Sequence, residues 1–216
     1  MAEIVLVRHG QANSAAKDEL SYDRLSDLGH QQARWLGEHL SATNGHFDNV
    51  ICGDMRRHRE TAAGIGFDNP QVDARWNELS YFALSEALER KTGAPHPGDT
   101  GGFITHVDEV FSHWKADGLD DVPETYANFD ARVTAALEDA AQLGGRSLVV
   151  TSTGVIAMVL RHVLDLSHHG HMKMIVQTAN TSLHRVERLH DTFYVAEYGA
   201  TPHLDAPDRR AARTHY

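Results

Sequence analysis

Cysteine is nearly missing: Cys52 is the only one in 216 residues, so no intrachain disulfide can form and nothing supports an oxidising compartment. The residue reads as a small buried apolar side chain. Positive charge is also short, with 20 Lys and Arg against 30 Asp and Glu and a formal charge of -10. That balance argues against a general nucleic-acid binder, which needs a basic face to displace phosphate counterions. Any phosphate the chain holds must meet a local cluster of cations. No apolar run approaches the length of a membrane span. Met1-Ala2-Glu3 before Ile4-Val5-Leu6-Val7 has neither the cationic flank nor the apolar length of a signal peptide. A cytoplasmic protein is therefore expected, with no membrane and no nucleic acid among its partners. Internal repeats and low-complexity stretches are absent too.

What is present has the balance of a globular chain, 41% hydrophobic and 23% charged, and its size fits one ordinary domain. Short apolar runs rich in β-branched residues alternate with segments of helical period, the pattern of an α/β sheet. Strands are expected at 3–7, 48–52 and 147–151, and a pair at 181–188 and 192–198 around a turn near His190 and Asp191. A helix is expected over 27–42, opened by Ser26 as N-cap, with Ala33, Leu36, Gly37 and Leu40 on one face. Others are expected at 54–65, along Phe129 to Leu143 before Gly144 and Gly145, and along Val155 to Val163. Between 77 and 123 the pattern is broken by Pro95, Pro97, Gly98, Gly101 and Gly102, which reads as an irregular helical lid. Trp35 and Trp114 read as packing residues. The expected architecture is a three-layer sandwich, a mostly parallel central sheet with helices on both faces, in one domain over 1–208. Residues 209–216 read as a frayed tail.

The chemical signal starts at Arg8-His9-Gly10, directly after the first strand, where open α/β sheets keep their ligand crevices. Further along stand Leu25, Ser26, Gly29, Gln32 and Ala33, then the run Asp54-Met55-Arg56-Arg57-His58-Arg59-Glu60-Thr61-Ala62. Asn77-Glu78 and the group Glu124, Thr125, Tyr126 and Phe129 follow. As an ordered set over most of residues 3 to 200, these resemble the histidine phosphatase superfamily, also called phosphoglycerate mutase-like. The resemblance implies that His9 becomes phosphorylated, that Arg8 and Arg57 hold the phosphoryl group and that Glu78 is the proton donor.

Those roles suit the residue types. Phosphoryl transfer needs cations around the equatorial oxygens, and two guanidinium forks supply them better than lysines do. A neutral imidazole can attack phosphorus and yield a phosphoramidate that water cleaves. An alkoxide leaving at neutral pH calls for an acid. Gly10 is expected to let backbone approach the phosphate. Arg56 and Arg59 read as solvated. The run Ser167-His168-His169-Gly170-His171 lacks an ordered set of partners at ligand spacing, so neither a metal nor a cofactor is expected.

The chain departs from the family's pattern at Thr151-Ser152-Thr153-Gly154-Val155-Ile156, where Ser152 stands in the place of a second active-site histidine that donates to the phosphoryl group. Losing one such donor costs roughly 3 kcal/mol in studied enzymes. Ser152, Thr153 and the N-terminus of the following helix are expected to bind phosphate in its place. After Gln11, the residues Ala12, Asn13, Ser14, Ala15 and Ala16 lack the asparagine of the mutase-like branch at its expected spacing, and no mutase-type extension follows the last strand. The expected function is therefore hydrolysis of a phosphomonoester, on a small phosphorylated metabolite or phosphopeptide, through phospho-His9. Two alternatives stand beside it: a phosphoglycerate mutase, and a binding protein that has lost turnover with its second histidine.

Overall fold

The computed structural model describes residues 2–13, 16, 18–43 and 45–215. Its strands are β1 (Ala2–Arg8), β2 (Asn49–Cys52), β3 (Gln71–Val72), β4 (Gly145–Thr151), β5 (Leu183–Leu189) and β6 (Thr192–Ala200). They form one sheet in the order β3-β2-β4-β1-β5-β6. β1 to β4 run parallel, and β5 and β6 complete the sheet antiparallel.

Around the sheet lie α1 (Glu19–Tyr22), α2 (Asp27–Ala42), α3 (Arg56–Ile65), α4 (Tyr81–Thr92), α5 (Thr100–Lys115), α6 (Tyr126–Gln142), α7 (Thr153–Leu164) and α8 (His168–Gln177). Alternation along β1 builds two cores. Val5 and Val7 face Leu36 and Leu40 of α2 and Ala62 and Ile65 of α3. Ile4 and Leu6 belong to the opposite core, with Phe129 and Val133 of α6 and Val155 and Ile156 of α7. Both faces of β1 are thus covered, which is why it reads as a continuous apolar run. The expected three-layer α/β arrangement is the one observed.

Several elements differ from expectation. The segment 77–123 holds two regular helices, α4 and α5, where an irregular lid was expected; Pro95, Pro97 and Gly98 only separate them, and Gly101 and Gly102 sit in the first turn of α5. The histidine-rich run opens α8, capped by Ser167, whose hydroxyl accepts the N–H of Gly170 at 3.2 Å. β3 has two exposed residues, too few for any periodicity.

The C-terminal segment is docked, not frayed. Gln32 Nε2 donates to the Ala212 carbonyl at 2.6 Å and to Thr214 Oγ1 at 3.0 Å. The Asn180 N–H donates to the Thr214 carbonyl at 2.8 Å. The anchors lie far away in sequence, so local composition carried no sign of them. Tyr216 lies outside the described residues, as do Ser14 and Ala15. Among the described residues, no helix is long and apolar enough to cross a membrane.

Candidate active site

β1, β2 and β4 end at one edge of the sheet, because Arg8 pairs with Thr151 and Cys52 with Val150 in parallel register. The residues that follow, His9, Gly53 and Ser152, therefore emerge together. His9 stays tied to the sheet, its N–H donating to the Thr151 carbonyl at 2.9 Å.

His9 is buried, and its Nδ1 lies 2.7 Å from the Gly10 carbonyl. A carbonyl can only accept, so Nδ1 carries the proton and Nε2 keeps its lone pair. Burial, and then the charges of Arg57 and Arg8, hold the imidazole well below its ordinary pKa. His9 is a neutral imidazole in one tautomer, with its free lone pair on Nε2.

The two arginines are as deeply placed, 4% and 1% exposed. Arg8 Nη1 donates to the carbonyls of Thr178 and His215. Arg57 Nη1 donates to Asp23 at 3.1 Å and to Glu19 at 3.3 Å, and its guanidinium lies 5.1 Å from the Tyr22 ring centre. Each leaves its Nε buried with no hydrogen-bond partner among the described residues. Buried charged donors without partners are expensive, and an anion between them is the natural remedy.

Glu78 shares this cavity. Its Oε2 accepts the Gly154 N–H at 2.9 Å and its Oε1 the Leu79 N–H at 3.1 Å, so two backbone donors fix the carboxyl. Any side chain at position 154 would collide with it, since a Cβ there would stand 2.3 Å from Glu78 Oε1. The cavity has a volume of about 340 Å³. Arg8, His9, Glu19, Arg57, Glu78 and Thr153 belong to its polar lining, and α4, α5 and the segment between them add Tyr81, Phe82, Phe103, Val107 and Phe111 together with His96.

Three expected residues sit differently. Gly10 is needed for packing against α2: a Cβ there would lie 2.5 Å from the Gly29 carbonyl oxygen. Thr153 directs its hydroxyl to the Ile175 carbonyl at 3.1 Å. Ser152 is fully buried and is the N-cap of α7 through its backbone, with no capping bond from its side chain; its Oγ lies 2.6 Å from His58 Nε2.

Several residues of the site carried no functional assignment from sequence. Asp23 accepts the N–H groups of Arg56 and Arg57 at 2.9 and 3.2 Å, capping α3 from outside. Thr61 accepts the Gly10 N–H at 3.0 Å, and Asn180 Nδ2 donates to the His9 carbonyl at 3.1 Å. Glu19, also on the cavity wall, is pushed up in pKa by burial and by Glu78, against the pull of Arg57. Thr61 and His58 had a visible signal, their place in the run that follows Asp54. Elsewhere His168 pairs with Asp108 at 3.1 Å. Among the described residues no group of three or more His, Cys, Asp or Glu side chains is placed to hold a metal ion.

The family model of the histidine phosphatase superfamily (branch 1) matches residues 4–201. The chain belongs to the histidine phosphatase superfamily. A broad-specificity phosphatase of Saccharomyces cerevisiae is 29% identical over 211 residues, spanning 93% of this chain and 86% of that protein. The adenosylcobalamin/alpha-ribazole phosphatase of Salmonella typhi is 27% identical over 173 residues, spanning 74% of this chain and 79% of its own length. The solved structure of Bacillus stearothermophilus YhfR superposes with a TM-score of 0.69 at 21% identity, covering 94% of this chain and 99% of that one. Like these sequence relatives, the chain is a phosphatase.

Proposed function

We propose that the substrate is a small phosphorylated metabolite with an apolar or aromatic alcohol part, hydrolysed through a phosphohistidine at His9. The observation that carries this is the make-up of one cavity's lining. Two buried guanidinium groups and a neutral, tautomer-fixed imidazole share it with the aromatic side chains of α4 and α5. A volume of about 340 Å³ suits a small molecule better than a phosphopeptide.

In the first step the Nε2 lone pair of His9 forms a bond to phosphorus while the ester P–O bond breaks. The Glu78 carboxyl gives its proton to the departing alkoxide. In the second step water attacks phosphorus and gives its proton to the Glu78 carboxylate. The N–P bond breaks, returning its electron pair to Nε2. Arg8 and Arg57 balance the phosphoryl charge throughout, and α4 and α5 act as a lid that excludes bulk water. The single buried cysteine suits a cytoplasmic setting.

A panel of phosphomonoesters, compared by kcat/KM beside His9→Ala, tests this. Aryl and branched alkyl phosphates are expected to exceed phosphoglycerate and phosphoserine by about tenfold or more, since one to two buried methylenes are worth that much. Preference for the charged substrates contradicts the assignment.

A further inference from the structure

His58 stands next to the nucleophile without a part in the steps above. It is fully buried, and its ring centre lies 5.8 Å from that of His9, with the planes at 38°. Its Nε2 is 2.6 Å from Ser152 Oγ, the one side-chain hydrogen bond of that hydroxyl among the described residues. Its Nδ1 is buried without a hydrogen-bond partner there, and faces Gly53 so closely that a Cβ at position 53 would come within 2.2 Å.

These contacts constrain the protons. Burial and the charge of Arg57 keep His58 well below its ordinary pKa, so the ring is neutral and has a single N–H. On Nδ1 that hydrogen would be an orphaned buried donor, which folded proteins tolerate less than the unpaired lone pair that the other tautomer leaves on the same atom. On Nε2 it is satisfied by Ser152 Oγ. The serine hydroxyl then accepts from the histidine, and its own hydrogen has no acceptor within the described chain. Ser152 follows Thr151, whose carbonyl holds the His9 N–H, and the His58 ring bonded to it lies 5.8 Å from the His9 ring, so the residue with this spare donor leaves the sheet at the same edge as the nucleophile. An oxyanion there completes it.

We propose that His58 is a positioning residue of the phosphoryl-transfer site, orienting Ser152 so that the serine hydroxyl donates to the phosphoryl group carried by His9. No covalent bond to either residue changes; the pair adds one aimed donor that strengthens as charge develops on the phosphoryl oxygens. This role rests on His9 being the phosphorylated group.

The test is steady-state and rapid-quench kinetics with p-nitrophenyl phosphate on Ser152→Ala, His58→Ala, the double variant and His58→Gln. Each single alanine variant is expected to lower kcat about tenfold with KM within about twofold, the worth of one positioned hydrogen bond. The double variant should lose no more than either single, because the two act as one unit. His58→Gln, which can place an amide donor near the former Nε2, should recover most of the loss. Losses that multiply in the double variant, or glutamine no better than alanine, overturn the role. Should His58→Ala fail to fold, Ser152→Ala, which removes a single oxygen, decides alone: unchanged kcat overturns the proposal. A His9→Ala arm separates the two failures. Turnover surviving His9→Ala defeats the phosphohistidine itself, whereas a labelled wild-type enzyme indifferent to Ser152→Ala defeats only the pair.

Discussion

The carboxyl of Glu78 is held by the backbone of Gly154, Oε2 accepting its N–H at 2.9 Å. The carboxyl proposed as proton donor and the N-terminus of α7 are therefore one unit, and glycine is required where they meet. Gly154→Ala would push a methyl group to 2.3 Å from Glu78 Oε1. We expect that variant to lower kcat about tenfold or more on alkyl phosphates, because a displaced acid forfeits much of its contribution. A kinetic assay showing full activity with a folded protein contradicts this placement.

Leaving-group dependence checks the role of Glu78 itself. Glu78→Gln should lose about 100-fold or more on an alkyl phosphate and far less on p-nitrophenyl phosphate, whose phenolate departs without a proton. Equal losses on both substrates would assign the proton to another group, with Glu19 a second carboxyl on the cavity wall.

Glu19 has a second consequence. It and Asp23 occupy Arg57 Nη1 at 3.3 and 3.1 Å, so an incoming phosphate must compete with two carboxylates for one guanidinium. Replacing Glu19 by Gln should tighten inhibition by inorganic phosphate about threefold to tenfold. A weaker or unchanged inhibition constant would mean that Glu19 does not compete.

The fold was largely written in sequence periodicity. Strands packed on both faces read as apolar runs, and α2 showed both its cap and its buried stripe. The site was legible where one short motif carried it, as in Arg8-His9-Gly10 and at Arg57. What stayed hidden depends on contacts between distant segments. Nothing local to Thr214 announces that it hydrogen-bonds Asn180, and nothing local to Asp23 announces that it caps α3. The Gly10 case differs: the glycine was identified, but its reason was the carbonyl of Gly29 on another element.

The docked C-terminal segment should matter for both stability and turnover. Thr214 Oγ1 donates to Asn180 Oδ1 at 2.8 Å, and Asn180 in turn holds the His9 carbonyl. Deleting residues 214–216 is expected to cost about 1–3 kcal/mol through the lost hydrogen bonds. It should also weaken phosphate binding, because Arg8 loses the His215 carbonyl that orients it. Urea unfolding and phosphate inhibition of the truncated protein measure both; two unchanged values would mean that the segment is an ornament.

Buried neutral histidines set the acid limit. Burial is the main cause that lowers His171 and His184 to about 3 and His203 to about 4, from an ordinary 6.5. The unfolded chain takes up these protons below pH 6.5 while the folded chain does not. Stability is therefore full above that pH and falls as pH drops toward the folded values, by about 1.4 kcal/mol per pH unit for each histidine. His171→Asn should reduce the loss between pH 7 and pH 5 by about 2 kcal/mol, read from urea unfolding at the two pH values. An identical loss in variant and wild type contradicts the assignment.

Direct detection of the phosphorylated enzyme bears hardest on the whole account. Wild-type protein mixed with a labelled phosphomonoester and quenched in alkali should carry label on the peptide containing His9, stable to base and released by mild acid, and His9→Ala should carry none. Label that survives acid, or that persists in His9→Ala, contradicts the assignment of His9 as nucleophile.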